Sequence, residues 1–270
     1  MNKKDIIKNT RLFLFDMDGT LYLDDQLFDF TKELLSVIKQ SGRQYMFMTN
    51  NSSKSAAAYV EKLARLGIDA TEEEMETSSQ ATAYYLQKHH TDDILYLSGT
   101  RSFCEEIAKT GLRVTANPDA ATCIVMGFDT ELTFEKLEIL SRLLCTKNLP
   151  YIAANPDYVC PTAFGSVPDC GSVSDMLYNV SGKRPLFIGK PSALMPTLAM
   201  EKAGVCAAQT AVVGDRIYTD VKSGLNAGCT AVLVMSGETT QDILDASPDK
   251  PTLVMESAAE ILDILREELA

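Results

Sequence analysis

The stretch Leu12-Phe-Leu-Phe-Asp16-Met-Asp18-Gly19-Thr20 decides the fold class and begins the functional argument. Its first four residues form a short apolar run, as expected for a strand that is buried on both faces of a parallel sheet. Asp16 and Asp18 follow where this strand ends. Ligands of open α/β sheets bind beyond the carboxyl ends of the strands, so the position predicts a functional site.

Short apolar runs alternate with longer amphipathic segments along most of the chain, which predicts an α/β fold with parallel sheets. The 270 residues fit two domains, or one domain with a large insertion. A second βα series between residues 94 and 153 indicates a separate module, and residues 182–185 are interpreted as the linker that returns from it. Predicted strands near the site are Leu12–Phe15, Tyr45–Met48, Leu186–Ile188 and Ala211–Val213.

Composition excludes several classes of partner. With 25 Lys and Arg against 37 Asp and Glu, the net charge is -12, so the average field repels nucleic acid and anionic membrane surfaces. No apolar run reaches the roughly 20 residues of a membrane span, and the N-terminal run is too short for a secretory signal. The seven cysteines form no CxxC pair. We therefore expect free thiols and a cytoplasmic location, with no nucleic-acid or membrane partner.

Carboxylates at the ends of two predicted strands indicate a metal site. Asp16 and Asp18 beside an apolar strand cost free energy unless a cation neutralises them, so we expect a divalent metal there. Asp215 ends a second apolar run, and Asp220 follows it. Adjacent parallel strands would bring Asp16 and Asp215 close enough to share one ion. A surface Asp pair in a turn is the alternative interpretation of Asp16 and Asp18.

The acidic stretch is not an EF-hand calcium loop. Such a loop needs glycine at its sixth position and glutamate at its twelfth, and this chain has Leu21 and Leu27 there. Asp16 and Asp18 are therefore not interpreted as ligands of an EF-hand calcium site.

Two further strand ends carry groups suited to phosphate. The segment Thr49–Ser52 offers hydroxyls, amides and a helix N-terminus that could hold phosphoryl oxygens, although it could also be a simple helix cap. Lys190 supplies a cation before another helix, with a solvated surface lysine as the alternative. It is not part of a Walker loop, because Arg184 and Pro191 replace the required glycine and Ser/Thr.

Four segments, in their order along the chain, resemble the haloacid dehalogenase superfamily: Asp16–Thr20, Thr49–Ser52, Lys190–Pro191 and Gly214–Asp220. The segments Thr77–Thr82, Val125–Asp129, Ala154–Asp157 and Gly189–Ser192 resemble its NagD-like and 4-nitrophenylphosphatase subgroup. The likeness covers nearly the whole chain. It implies a Rossmann-like core of residues 1–77 and 184–270, and a large α/β cap of residues 78–183 that selects the substrate.

The resemblance also implies roles for the charged residues. Asp16 would be the nucleophile that forms an aspartyl phosphate, and Asp18 the general acid and then the base. Mg²⁺ would bind the carboxylates of Asp16 and Asp215 and the main-chain carbonyl of Asp18. Asp220 would orient waters or Lys190, which would offset charge between nucleophile and phosphate. The acid at position 18 argues against carbon–halogen cleavage, since the family's dehalogenases lack it.

Phosphate and substrate contacts follow from the same resemblance. The residues expected to bind phosphate are Gly19, Thr49, Asn50, Asn51 and Lys190. Those expected to face the substrate are Asn155, Asp157 and Cys160. Asp129 is either a turn residue or a further substrate contact.

The sequence thus predicts a Mg²⁺-dependent phosphatase that acts on small phosphomonoesters. Sugar phosphates, phosphoglycolate-like acids, pyridoxal phosphate and nucleotides are the candidate substrates. A phosphotransferase or phosphomutase with the same intermediate is one alternative, and a non-catalytic phosphate-binding protein is another. A small phosphorylated metabolite is the expected partner. The sequence leaves open whether the protein forms a homo-oligomer.

Overall fold

The structure, a computed structural model, describes residues 2–23, 25–162 and 164–269. Its strands are β1 Leu12–Phe15, β2 Tyr22–Leu23, β3 Gln26–Leu27, β4 Gln44–Thr49, β5 Met75–Thr77, β6 Ile94–Ser98, β7 Arg113–Val114, β8 Cys123–Met126, β9 Tyr151–Ala153, β10 Val159–Thr162, β11 Gly165–Pro168, β12 Leu186–Phe187, β13 Thr210–Gly214, β14 Thr230–Val234 and β15 Leu253–Met255. Its helices are α1 Lys3–Asn9, α2 Thr31–Gln40, α3 Ala56–Arg65, α4 Ser78–His89, α5 Arg101–Ala108, α6 Phe134–Thr146, α7 Cys170–Ser181, α8 Leu194–Ala203, α9 Lys222–Asn226, α10 Gln241–Ala246 and α11 Ala259–Leu269.

The described chain forms two compact units. Unit 1 comprises residues 1–49, 59–76 and 190–270, and unit 2 comprises residues 50–58 and 77–189. The assignment of residues 1–77 and 184–270 to a catalytic core and of residues 78–183 to a substrate-selecting cap stays a prediction.

Unit 1 contains a six-stranded sheet in the order β15-β14-β13-β1-β4-β5. The neighbours from β15 to β4 pair in parallel. β1 lies near the centre, and all four of its residues are buried, because a parallel sheet covered by helices is apolar on both faces. Phe15 of β1 is in register with Phe47 of β4 and with Val213 of β13. The carboxyl ends of these three strands therefore meet at one edge.

Unit 2 contains a five-stranded sheet in the order β12-β9-β8-β6-β7, and its neighbours pair in parallel. A separate antiparallel hairpin consists of β10 and β11. The parallel sheets of both units confirm the predicted α/β fold class. Helix α6 buries Leu140, Leu143 and Leu144, and these side chains join the hydrophobic core of unit 2.

The transition between the units lies after β12. Residues 182–185 were predicted to be the return linker, but β12 pairs with β9 in the sheet of unit 2. The N–H groups of Ile188 and Gly189 continue this pairing by donating to Ala153 and Ala154. Hydrogen bonding therefore keeps the chain in unit 2 up to Gly189, and unit 1 resumes at Lys190.

Two other predictions concern the chain as a whole. All seven cysteines are free thiols in the structure, as expected. Among the described residues, no helix combines the length and the apolar character needed to cross a bilayer.

Candidate active site

Three carboxylates meet at the carboxyl edge of β1 and β13. Asp16 directly follows β1, and its N–H donates to the carbonyl of Val213 at 2.8 Å. Asp215 directly follows β13, and Asp220 lies in the π-helical turn Ile217–Val221. One oxygen from each of Asp16, Asp215 and Asp220 lies within 4.8 Å of the others. We call these three residues the acidic cluster.

Lys190 is the cation of this cluster. Its Nζ donates to Oδ1 of Asp16 at 2.6 Å and to Oδ1 of Asp220 at 2.5 Å. The carbonyl of Met48, at the end of β4, accepts a third hydrogen bond at 3.3 Å. The side chain is 3% exposed. Burial alone would lower the pKa of Lys190, but the charges of Asp16 and Asp220 outweigh it and raise that pKa, so the ammonium stays charged.

Lys190 does not balance the negative charge of the three carboxylates in the acidic cluster. Burial raises the pKa of Asp16 well above its usual value, and the charges of Asp220 and Asp215 add to the shift while Lys190 opposes it. Burial and the charge of Asp220 raise the pKa of Asp215 to about 6. The cluster therefore has more negative charge than Lys190 balances, which is the electrostatic condition for binding a cation.

The two carboxylate oxygens of Asp215 differ in their contacts with the described residues. Its Oδ2 accepts a hydrogen bond from the N–H of Glu238 at 2.7 Å. Its Oδ1 is buried and has no hydrogen-bond partner among the described residues. A buried carboxylate oxygen without a donor is costly, so this atom is suited to a metal ion.

Gly19 allows the loop after β1 to lie against Asp215. Its φ is +79°, in the left-handed region. A Cβ at this position would lie 2.5 Å from Oδ2 of Asp215. Both the backbone conformation and the close approach therefore require glycine.

Asp18 lies outside the acidic cluster, with a side chain that is 60% exposed. The hydroxyl of Tyr22 lies 3.4 Å from its Oδ2, and Nζ of Lys62 lies 3.8 Å from its Oδ1. Lys62 also donates to the hydroxyl of Tyr22 at 3.2 Å. Sequence reasoning assigned no role to Tyr22 or Lys62, because Lys62 is distant in sequence and carries no motif. The carboxyl of Asp18 is therefore accessible to solvent.

The structure places the residues after β4 in both units. Thr49 is buried at the end of β4 in unit 1. Asn50 and Asn51 begin the segment that belongs to unit 2. Within unit 2, the Asn51 Oδ1 accepts from the N–H and the hydroxyl of Ser53 at 2.9 and 2.7 Å. Its Nδ2 lies 3.8 Å from Sγ of Cys160.

Unit 2 brings the other predicted substrate residues together. The Asn50 Nδ2 donates to Oδ1 of Asp157 at 3.2 Å, and the Asn155 Nδ2 approaches Oδ2 of Asp157 at 3.4 Å. Asn155 is fully buried and also donates to Asp169 at 3.0 Å. Ser52 accepts from the N–H of Phe128 at 2.8 Å. Asp157 thus accepts from both Asn50 and Asn155, which links these three side chains.

Asp129 has the contacts of a turn residue. Its Oδ1 accepts from the N–H of Glu131 at 2.9 Å, and its Oδ2 accepts from Lys136 at 2.7 Å. Its side chain is 3% exposed. Both carboxylate oxygens are thus used within unit 2.

Sequence reasoning also missed the loop after β14. Ser236 donates to the carbonyl of Gly19 at 2.7 Å, and Glu238 binds Asp215 through its main chain. Arg216 is adjacent to Asp215 and pairs with Glu238 at 2.8 Å. Only the position of Ser236–Glu238 shortly after the apolar run Ala231–Val234 could have suggested the loop.

Two family models match this chain. A model of the haloacid dehalogenase-like hydrolases matches residues 13–113, and a HAD-hydrolase-like model matches residues 187–261. The chain is 33% identical over 254 residues to the 5'-nucleotidase YutF of Bacillus subtilis (strain 168), covering 94% of this chain and 98% of that protein. It is 31% identical over 246 residues to the acid sugar phosphatase of Staphylococcus aureus (strain USA300), covering 91% and 94%.

Solved structures show the same relationship. The 4-nitrophenylphosphatase of Thermotoga maritima has a TM-score of 0.91 and 37% identity, covering 96% of this chain and 98% of that one. NagD from Escherichia coli K-12 has a TM-score of 0.85 and 26% identity, covering 93% and 98%. The chain therefore belongs to the haloacid dehalogenase-like hydrolases, and within them to the NagD-like group.

Proposed function

We propose that this protein hydrolyses small phosphomonoesters, requires Mg²⁺, and forms an aspartyl phosphate on Asp16. The observation that carries the proposal is the acidic cluster, with the buried Lys190, at the carboxyl edge of β1 and β13. Relatives named as a 5'-nucleotidase, an acid sugar phosphatase and a 4-nitrophenylphosphatase support phosphate ester hydrolysis by this chain.

The donor set fits Mg²⁺. This ion prefers hard oxygen ligands and is commonly held by one or two carboxylates together with substrate phosphate. Asp16 and Asp215 would supply the carboxylate oxygens and Asp18 its main-chain carbonyl, and the unpartnered Oδ1 of Asp215 supports this assignment. When bound, the ion supplies positive charge that reduces the repulsion between a carboxylate and a phosphate.

Asp16 would attack the phosphorus atom. Its carboxylate oxygen forms the new bond to phosphorus while the bond from phosphorus to the ester oxygen breaks. The ammonium of Lys190, 2.6 Å from Oδ1 of Asp16, orients that carboxylate and offsets part of the charge that phosphate brings. Asp220 holds the same ammonium from the other side.

Asp18 would move the protons. In its acid form it protonates the leaving oxygen, and it then removes a proton from the water that hydrolyses the aspartyl phosphate. The 60% exposure of its side chain supports this exchange. Water attacks phosphorus, phosphate leaves, and Asp16 is regenerated as a carboxylate.

Unit 2 would select the substrate. We propose that its residues within 78–183 form the cap predicted from the sequence, and that Gly19, Thr49, Asn50 and Asn51 hold the phosphate. Asn155, Asp157 and Cys160 are the proposed contacts for the rest of the substrate. The hydrogen bonds from Asn50 and Asn155 to Asp157 support a common role for these three residues.

Phosphate release from a panel of sugar phosphates, nucleotides, phosphoglycolate and pyridoxal phosphate tests the proposal. We expect release from at least one ester with Mg²⁺, none with EDTA, and none from Asp16→Asn. Asp92→Asn changes an exposed aspartate in unit 2 and serves as the matched control. No release from any ester by the wild-type protein contradicts the proposal. Transfer of most of the phosphate to an added alcohol would instead identify a phosphotransferase.

A further inference from the structure

The loop after β14 contacts two of the proposed metal-binding segments. β14 pairs with β13 in parallel, with Gly214 in register with Leu233, so the residues that follow β14 lie at the same edge as Asp215. Within this loop, Ser236 donates its hydroxyl to the carbonyl of Gly19 at 2.7 Å. The N–H of Glu238 donates to Oδ2 of Asp215 at 2.7 Å. One short segment thus holds both the loop after β1 and the carboxylate after β13.

Close packing adds a second, independent restraint on Asp215. A Cβ built on Gly237 would lie 2.0 Å from Oδ2 and 2.5 Å from Cγ of this aspartate. Only a glycine at position 237 lets the loop approach the carboxylate this closely. The Glu238 N–H and the close backbone of Gly237 therefore both lie against Oδ2 of Asp215 and leave no room for a larger residue at position 237.

The loop is itself anchored to the residues that follow Asp215. The Glu238 Oε2 pairs with Nε of Arg216 at 2.8 Å, and its Oε1 accepts from the hydroxyl of Tyr218 at 2.7 Å. The side chain of Arg216 is 23% exposed, so this pair is partly shielded from water. Both carboxylate oxygens of Glu238 therefore hold the loop against Arg216 and Tyr218, which follow Asp215 in the chain.

We propose that Ser236–Glu238 is a positioning loop that sets the affinity of the protein for its divalent cation. Glu238 anchors the loop through Arg216 and Tyr218, and its main-chain N–H keeps Asp215 oriented with Oδ1 free. The inference rests on the proposed function, since it takes Asp215 as a metal ligand. Residues that orient metal ligands typically change metal affinity by about 10–100-fold when they are replaced.

The test measures the affinity of the substrate-free protein for Mn²⁺. Electron paramagnetic resonance reports the free ion during the titration. We expect Glu238→Gln to weaken binding by about tenfold, and Gly237→Ala by about 100-fold because its methyl group displaces Asp215. In both variants, the apparent KM for the metal should rise. The fall in kcat at saturating metal should be smaller than the fall in metal affinity. Glu267→Gln is the matched control, because Glu267 is an exposed glutamate that pairs with Lys4.

Failure of this inference can be distinguished from failure of the proposed function. If the wild-type protein and both loop variants bind Mn²⁺ equally, the loop has no positioning role and the inference is wrong. If the wild-type protein binds no divalent cation, the proposed function itself fails. Melting curves in EDTA identify any misfolded variant, and Glu238→Gln preserves size and removes only a half-exposed charge. An affinity loss in that variant with unchanged melting supports the inference.

Discussion

Replacement of Lys190 by methionine is expected to destabilise the metal-free protein and to suppress turnover. Its ammonium lies 2.6 Å from Asp16 and 2.5 Å from Asp220 in a site where the lysine side chain is 3% exposed. Loss of one partner of a buried ion pair costs about 3–5 kcal/mol, because the remaining charge has no compensation. Since 1 kcal/mol shifts the Tm of a protein of this size by roughly 2–4 °C, we expect a fall of about 10 °C.

The assay is thermal melting in EDTA at pH 7, together with hydrolysis of p-nitrophenyl phosphate in Mg²⁺. Turnover by Lys190→Met should fall by about 10²–10³-fold, as when one group that stabilises the transition-state charge is removed. The double variant Lys190→Met/Asp220→Asn should recover part of the lost Tm, since it removes one uncompensated carboxylate. Lys4→Met, which disrupts only an exposed pair, should melt like the wild-type protein. Equal Tm values for Lys190→Met and the wild type would refute the reasoning.

Three further predictions concern the proposed chemistry. Asp16→Asn should abolish hydrolysis while Mg²⁺-dependent substrate binding, measured by calorimetry, persists; retained turnover would contradict a covalent role. Asp18→Asn should release one equivalent of p-nitrophenolate in a burst and then turn over slowly, because this leaving group needs no proton whereas the attacking water needs a base. Slow release without a burst in stopped-flow absorbance would contradict that role. Gly19→Ala should cost about 1–2 kcal/mol of stability from left-handed backbone strain, and it should weaken Mn²⁺ binding because its Cβ would lie 2.5 Å from Asp215. Unchanged melting and metal affinity would show that this close approach is unimportant.

The fold was predictable where strands are buried on both faces. The apolar run Leu12–Phe15 coincides with β1, because a central strand of a covered parallel sheet needs no alternation. The hairpin of β10 and β11 was not predicted, since its strands are short, contain Pro161 and Pro168, and are exposed or half-buried. Helix α4 was also missed, although Thr77 and Gln80 form a capping box that the sequence displays.

Some contacts of the candidate site could also be predicted from the sequence, and others could not. Asp16 and Asp215 could be placed together because each ends an apolar run and parallel neighbours share an edge. The contact between Lys190 and Asp220 depends on the π-helical turn after β13 and on where the chain re-enters unit 1, which spacing does not reveal. Glu238 acts on Asp215 through its main-chain N–H, a contact that leaves no side-chain pattern in a sequence.

Chemical trapping of the phosphorylated aspartate tests the central claim most directly. Asp18→Asn would be mixed with p-nitrophenyl phosphate and Mg²⁺, quenched in acid after the burst, and reduced with borohydride, which converts an acyl phosphate to an alcohol. We expect peptide mass spectrometry to find homoserine in place of Asp16 only in the sample that received substrate. An unmodified Asp16 in a sample that has released a stoichiometric burst, or reduction at another carboxylate, would contradict the account.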